Sequence, residues 1–171
     1  MIRSAALSLL LLLAACQRVA EAPAQDESDS DSRGRVQRYV FGTTQGEEVS
    51  AEGMRGRVTA LVFVTTFDLA SQMAAKQLNQ ALHRHTPRIN AAAVVLEAAK
   101  YAPLADVFRT SLQLSYPVAI ADLATLAQNS TLGEVHSVPT VIIFDAQGRE
   151  VLRKYGAFTN EELDGWLTRA R

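Results

Sequence analysis

Asp68 lies within, and Ser71 closes, a short turn at the point where a strand gives way to a helix. The strand, Val58-Thr-Ala-Leu-Val-Phe-Val64, is β-branched and too continuously apolar to leave one face in water. The helix carries Ala74, Leu78, Ala81, Leu82 and His85 at helical spacing, with Gln72, Lys76 and Gln80 between them. The turn Thr66-Phe-Asp-Leu-Ala-Ser71 therefore lies at a helix N-terminus, where free N–H groups and the helix field favour an anion. A cysteine there would ionise easily and attack a disulfide as a thiolate. This chain has a carboxylate and a hydroxyl instead, and neither can form a mixed disulfide. Asp68 is expected to cap the helix, with Ser71 as the alternative cap.

The other residues capable of chemistry form no constellation. His83 and His85 are two apart on a helix, so they point to different faces and make a poor metal pair. His136 lies in a loop just before Ser137-Val138-Pro139, where a solvated role is expected. Ser130 and Ser137 have no evident His/Asp partners, which leaves a hydrolase without support. No catalytic residue, metal ligand or cofactor is assigned.

Cys16 is the only cysteine. Arg3 precedes an apolar run, Ala5 to Leu13, that is far shorter than the roughly 20 residues a membrane span needs. It closes on Leu13-Ala-Ala-Cys16, which resembles a bacterial lipoprotein lipobox. The resemblance implies a signal peptide over 1–15 and a lipid on Cys16. Gln17, not Asp, follows the cysteine, and Gram-negative sorting rules then favour the outer membrane, facing the periplasm. With Cys16 acylated, no thiol remains for a disulfide, so the folded part must rely on its core. Residues 16–37 include Ala20-Glu-Ala-Pro-Ala-Gln-Asp-Glu-Ser-Asp-Ser-Asp-Ser32, a stretch with too little apolar surface to fold, read here as a disordered acidic tether. Residues 38–171 have the length of one ordinary domain, and 48% of the chain is apolar. The net charge of −1 comes with no basic patch interleaved with aromatics, which argues against nucleic acid as a partner.

Within the domain, strands and helices alternate. Arg38–Phe41 and Glu47–Ser50 flank the glycine-bounded turn Gly42–Gly46 as a hairpin. Pro87 stops the first helix. Ala91–Leu96 is alanine-rich, but its length and place suit a strand. Pro103 opens a helix with Leu104, Val107, Phe108 and Leu112 on one face. Pro117–Ile120 is a brief strand, and Asp122 caps a helix over Leu123–Gln128. Thr140–Phe144 and Glu150–Tyr155 form a hairpin. Thr159-Asn-Glu-Glu162 is a capping box for a final helix carrying Leu163, Trp166 and Leu167. The pattern is an α/β sandwich with a mixed sheet.

In this order and spacing the elements resemble the thioredoxin fold in its exported, TlpA-type redoxin form. Gly46-Glu-Glu-Val-Ser50 with Gly53-Met-Arg-Gly56 is similar to that family's entry segment. Ser137-Val-Pro-Thr140 and Val141 to Gly148 are similar to its cis-proline loop and hairpin, and Gly156 to Leu167 to its closing segment. The likeness spans about Arg38 to Ala170. It implies a central mixed β-sheet flanked by helices, with an N-terminal β-hairpin extension. It places the family's two cysteines on Asp68 and Ser71 and its buried proton-relay residue on Val62. It implies a cis Val138–Pro139 bond facing the Asp68 turn. The expected role is a redox-inactive binding or accessory module, with Phe67, Asp68, Val138 and Pro139 as a surface for an extended segment of an envelope protein. Two alternatives stay open: a thiol–disulfide oxidoreductase by descent acting through other residues, and a metal or small-ligand carrier using Asp68 with His136.

Overall fold

A computed structural model describes residues 34–85 and 87–171. The expected signal peptide (1–15), Cys16 and residues 17–33 of the expected tether lie outside the described residues. The hairpin strands β1 (Val40–Gly42) and β2 (Glu48–Ser50) pair antiparallel as a separate small sheet. Then come β3 (Thr59–Val64), α1 (Leu69–Arg84) and β4 (Asn90–Val95). A single 3-10 turn at Ala99–Tyr101 leads into α2 (Ala102–Ser111), β5 (Val118–Ile120) and α3 (Leu123–Leu126). The chain closes with β6 (Thr140–Phe144), β7 (Glu150–Tyr155) and α4 (Asn160–Arg169).

Five strands form the main sheet in the order β5-β4-β3-β6-β7. β3 runs parallel to β4, and β4 to β5, while β6 is antiparallel to both β3 and β7. All six residues of β3 are buried, as its uninterrupted apolar run requires. Side chains of β3 alternate between two cores. Ala60, Val62 and Val64 meet α1 and α4 through Leu78, Ala81, Leu163 and Leu167, whereas Leu61 and Phe63 meet Phe41, Val49, Leu132 and Phe144. The alanines of β4 favour a helix in isolation. Between β3 and β5, however, they fill a buried strand with Ala92 and Ala93 fully enclosed, so tertiary context overrides propensity. The capping box of α4 forms as expected, with the Thr159 hydroxyl accepting from Glu162 N–H and the Glu162 carboxylate accepting from Thr159 N–H.

Three expectations need correction. Pairing begins before Arg38: Val36 bridges Arg149, Gly34 N–H donates to the Glu150 carbonyl, and Gln37 is buried. Residues 34–37 therefore join the fold rather than the expected tether. α3 ends at Leu126, because Gln128 takes a left-handed backbone (φ 59°) that a helix cannot continue. On α2 only Ala105 and Phe108 are buried; Leu104 and Val107 are 44% and 58% exposed. The helix turns its smaller Ala105 toward the sheet, and two of the four apolar residues expected on its inner face stand in solvent.

Candidate functional site

The turn after β3 and the loop before β6 meet at one end of the sheet, because Phe63 pairs with Thr140. Asp68 is the N-cap of α1. Its carboxylate accepts from Ser71 N–H at 2.9 Å and from Ala70 N–H at 3.4 Å. Bonds from the Ser71 N–H and hydroxyl, with a smaller one from Ala70, hold its carboxyl below the usual aspartate range against a modest desolvation effect. Ser71 is fully buried in the first turn, and its hydroxyl accepts from Thr65 N–H at 3.2 Å. The two positions are thus engaged in holding the helix start, and neither presents a nucleophile. Val62 is buried in the apolar layer under α1, so no proton relay approaches the turn from β3.

Val138–Pro139 is a cis peptide bond. Pro139 is buried and its carbonyl accepts from Gly156 N–H at 2.8 Å. Val138 is half-buried, and neither its N–H nor its carbonyl has a partner among the described residues. The segment leading to it is firmly held. The Gln128 side-chain amide donates to the Val135 carbonyl at 3.0 Å and accepts from Val135 N–H, as a neighbouring strand would. Arg153 donates to the carbonyls of Glu134 (2.9 Å) and Leu132, while gripping the Glu150 carboxylate with two bonds of 2.8 Å. An unpaired backbone edge on a fixed loop is what strand addition requires.

Phe67, at the tip of the turn, is 79% exposed, and Leu69 beside it is 70% exposed. Sequence reasoning missed Glu97, which follows β4. Its Oε1 accepts from Thr66 N–H at 2.6 Å and from the Thr66 hydroxyl at 2.8 Å, placing a second carboxylate beside Phe67. The signal available in the sequence was one acid directly after a buried strand, which is too common to single out.

His136 and Asp68 are not joined by any hydrogen bond. His136 instead pairs its Nε2 with Glu134 Oε2 at 3.1 Å and leans on the Tyr155 ring. His83 meets the Ser115 hydroxyl at 3.1 Å, and His85 lies between Asp164 and Arg171, so the two follow different faces of α1. Among the described residues no group of three or more His, Cys, Asp or Glu could hold a metal ion. Nor is any helix among them long and apolar enough to cross a membrane. Ser130 donates to the Gly133 carbonyl, and the Ser137 carbonyl accepts from Thr140, both as loop contacts.

No protein-family model and no curated protein matches the sequence. Solved structures do match. A thiol:disulfide interchange protein of the thioredoxin family from Chlorobium tepidum superposes with a TM-score of 0.69 at 16% identity, covering 81% of this chain and 96% of its own. The dsbF protein of Mycobacterium tuberculosis gives 0.66 at 18% identity, covering 80% and 96%. The exposed lipoprotein thioredoxin of Streptococcus pneumoniae gives 0.62 at 14% identity, covering 77% and 98%. At these identities the likeness is one of architecture, and it takes in nearly the whole of each solved chain and about four fifths of this one. The chain therefore has the thioredoxin-like fold of the thiol:disulfide interchange proteins, built on a sequence whose single cysteine is Cys16.

Proposed function

We propose that this protein is a redox-inactive, lipid-anchored module of the bacterial cell envelope that binds an extended protein segment across its Asp68 turn and Val138–Pro139 loop. The observation that carries the reading is the pairing of an open Val138 backbone edge with a turn whose two key positions are spent on capping a helix. Thiol–disulfide exchange needs a thiolate as attacking group, and a carboxylate or hydroxyl cannot replace it at any pKa. Recognition makes no such demand, because main-chain pairing and shape suffice.

The anchoring part of the proposal rests on the Leu13-Ala-Ala-Cys16 sequence, with Gln17 favouring the outer membrane, and on the lipoprotein thioredoxin among the matching folds. Gly34 and Val36 pair with the Glu150 and Arg149 end of β7, the opposite end of the sheet from Thr140. A tether entering there would point the Asp68 end of the domain away from the membrane.

Two measurements test the reading. Purified full-length protein should reduce insulin no faster than buffer with dithiothreitol, and clear turnover would overturn the assignment. The double variant Asp68→Cys with Ser71→Cys places thiols at the start of α1, where backbone N–H groups bond the Asp68 carboxylate; its recovery of exchange activity would show that only the sulfurs are missing.

A further inference from the structure

We propose that the cleft between Phe67 and Tyr101, with Glu97 at its base, receives the lysine or arginine side chain of the extended partner segment. This inference rests on the segment-binding reading above and names what that segment must carry.

The cleft, about 370 Å³, is lined by Phe67, Glu97, Ala98, Tyr101 and Leu104. Its walls are the two exposed rings, Phe67 and Tyr101, together with Leu104 from the face of α2 that the sheet does not cover. Glu97 uses Oε1 to bind Thr66 at both its N–H and its hydroxyl, which fixes the carboxylate in place. Oε2 has no partner among the described residues. Aromatic faces beside an ordered carboxylate suit a cation with an aliphatic stem: the stem lies on the rings and the head meets the charge. A carboxylate this close would reject an acidic side chain, and a purely apolar one would leave Oε2 unused. Lys100, which does not line the cleft, makes such a cation–aromatic contact with Tyr101, its Nζ 4.9 Å from the ring centroid. In the free protein Lys100 is thus an internal competitor for the same ring.

Strand order gives the connection to Val138. β3 lies between β4, which leads to Glu97, and β6, which begins after Pro139. Two strand spacings separate the cleft from the open backbone edge, about 10 Å, a distance that roughly three extended residues cross.

The test is selection of a display library of randomised short linear peptides on the full-length protein, with affinities of selected peptides read by fluorescence anisotropy. Enrichment of Lys or Arg at one position is expected. Glu97→Gln keeps an oxygen acceptor for Thr66 but removes the charge, and should weaken those peptides about fivefold. Lys100→Ala removes the competitor and should tighten them. Enriched peptides without a basic position, or basic peptides indifferent to both substitutions, would overturn the cleft assignment while leaving segment binding intact. Failure to enrich any peptide would overturn segment binding, and this inference with it.

Discussion

Arg153→Met should be among the most damaging single changes in the domain, and it should act on the loop that carries Val138. Arg153 and Glu150 each have side chains only 1% exposed, and they share two bonds of 2.8 Å. Burial opposes the guanidinium charge, but the Glu150 carboxylate, helped by Tyr155, outweighs it and raises the Arg153 pKa above its ordinary value. Removing Arg153 leaves a buried carboxylate without a counter-charge and takes the donors from the Leu132 and Glu134 carbonyls. Breaking a buried pair from one side costs about 3–5 kcal/mol, against a whole-domain stability of roughly 5–15 kcal/mol. The double variant Arg153→Met with Glu150→Leu removes the stranded charge, so it should be more stable than Arg153→Met alone by about 2 kcal/mol. Urea unfolding can be followed by Trp166, the only tryptophan, which packs against Phe158. The midpoint should fall at unchanged slope. Hydrogen exchange at Val135, whose N–H is held by Gln128, should quicken in the single variant while β3 stays protected. A loss below about 1 kcal/mol, or additive effects of the two substitutions, would refute the reasoning.

Asp68→Ala should lower Tm at neutral pH through loss of the cap. Because the folded-state pKa of Asp68 is depressed, its ionic contribution is complete above the unfolded-state pKa and is lost as pH falls through the folded value. The Tm difference from wild type should accordingly shrink in acid, and a difference that widens on acidification would contradict the assignment. Asp68→Asn, which keeps an acceptor, should lose chiefly the pH-dependent part. Thr65 Oγ1 is buried with no partner among the described residues, so Thr65→Val should raise stability by about 1 kcal/mol in thermal or urea melts. A clear loss would mean that the hydroxyl is bonded in the folded protein. Labelled palmitate should enter the wild-type protein in a Gram-negative host and not the Cys16→Ala variant. Equal labelling of both would exclude Cys16 as the attachment point.

Much of the architecture was legible because it is local. The apolar run of β3, the helical spacing from Ala74 to Leu82, the Thr159 capping box and the Asp145–Gly148 turn each write their structure into adjacent residues. The chemistry lost from the turn was equally plain, since the absence of sulfur at Asp68 and Ser71 needs no coordinates. Helix propensity misdirects at β4, where alanines are buried by their neighbours in the sheet, and helical periodicity misdirects at α2. There Leu104 and Val107 fit the apolar spacing, but only Ala105 and Phe108 are buried.

Side-chain type and spacing alone determined that this chain alternates strands and helices and that its helix-capping turn cannot exchange disulfides. Tertiary structure decided what surrounds that turn. Glu150 and Arg153 are three apart and should face opposite sides of a strand. The β-bulge that lets both Val151 and Leu152 stand against one step of β6 puts them on the same side, where Glu150 holds Arg153 and Arg153 holds the loop before Val138. Glu97 reaches Thr66 across 31 residues of chain, through the parallel pairing of β3 with β4. Such contacts arise from strand order and register, which no local periodicity encodes.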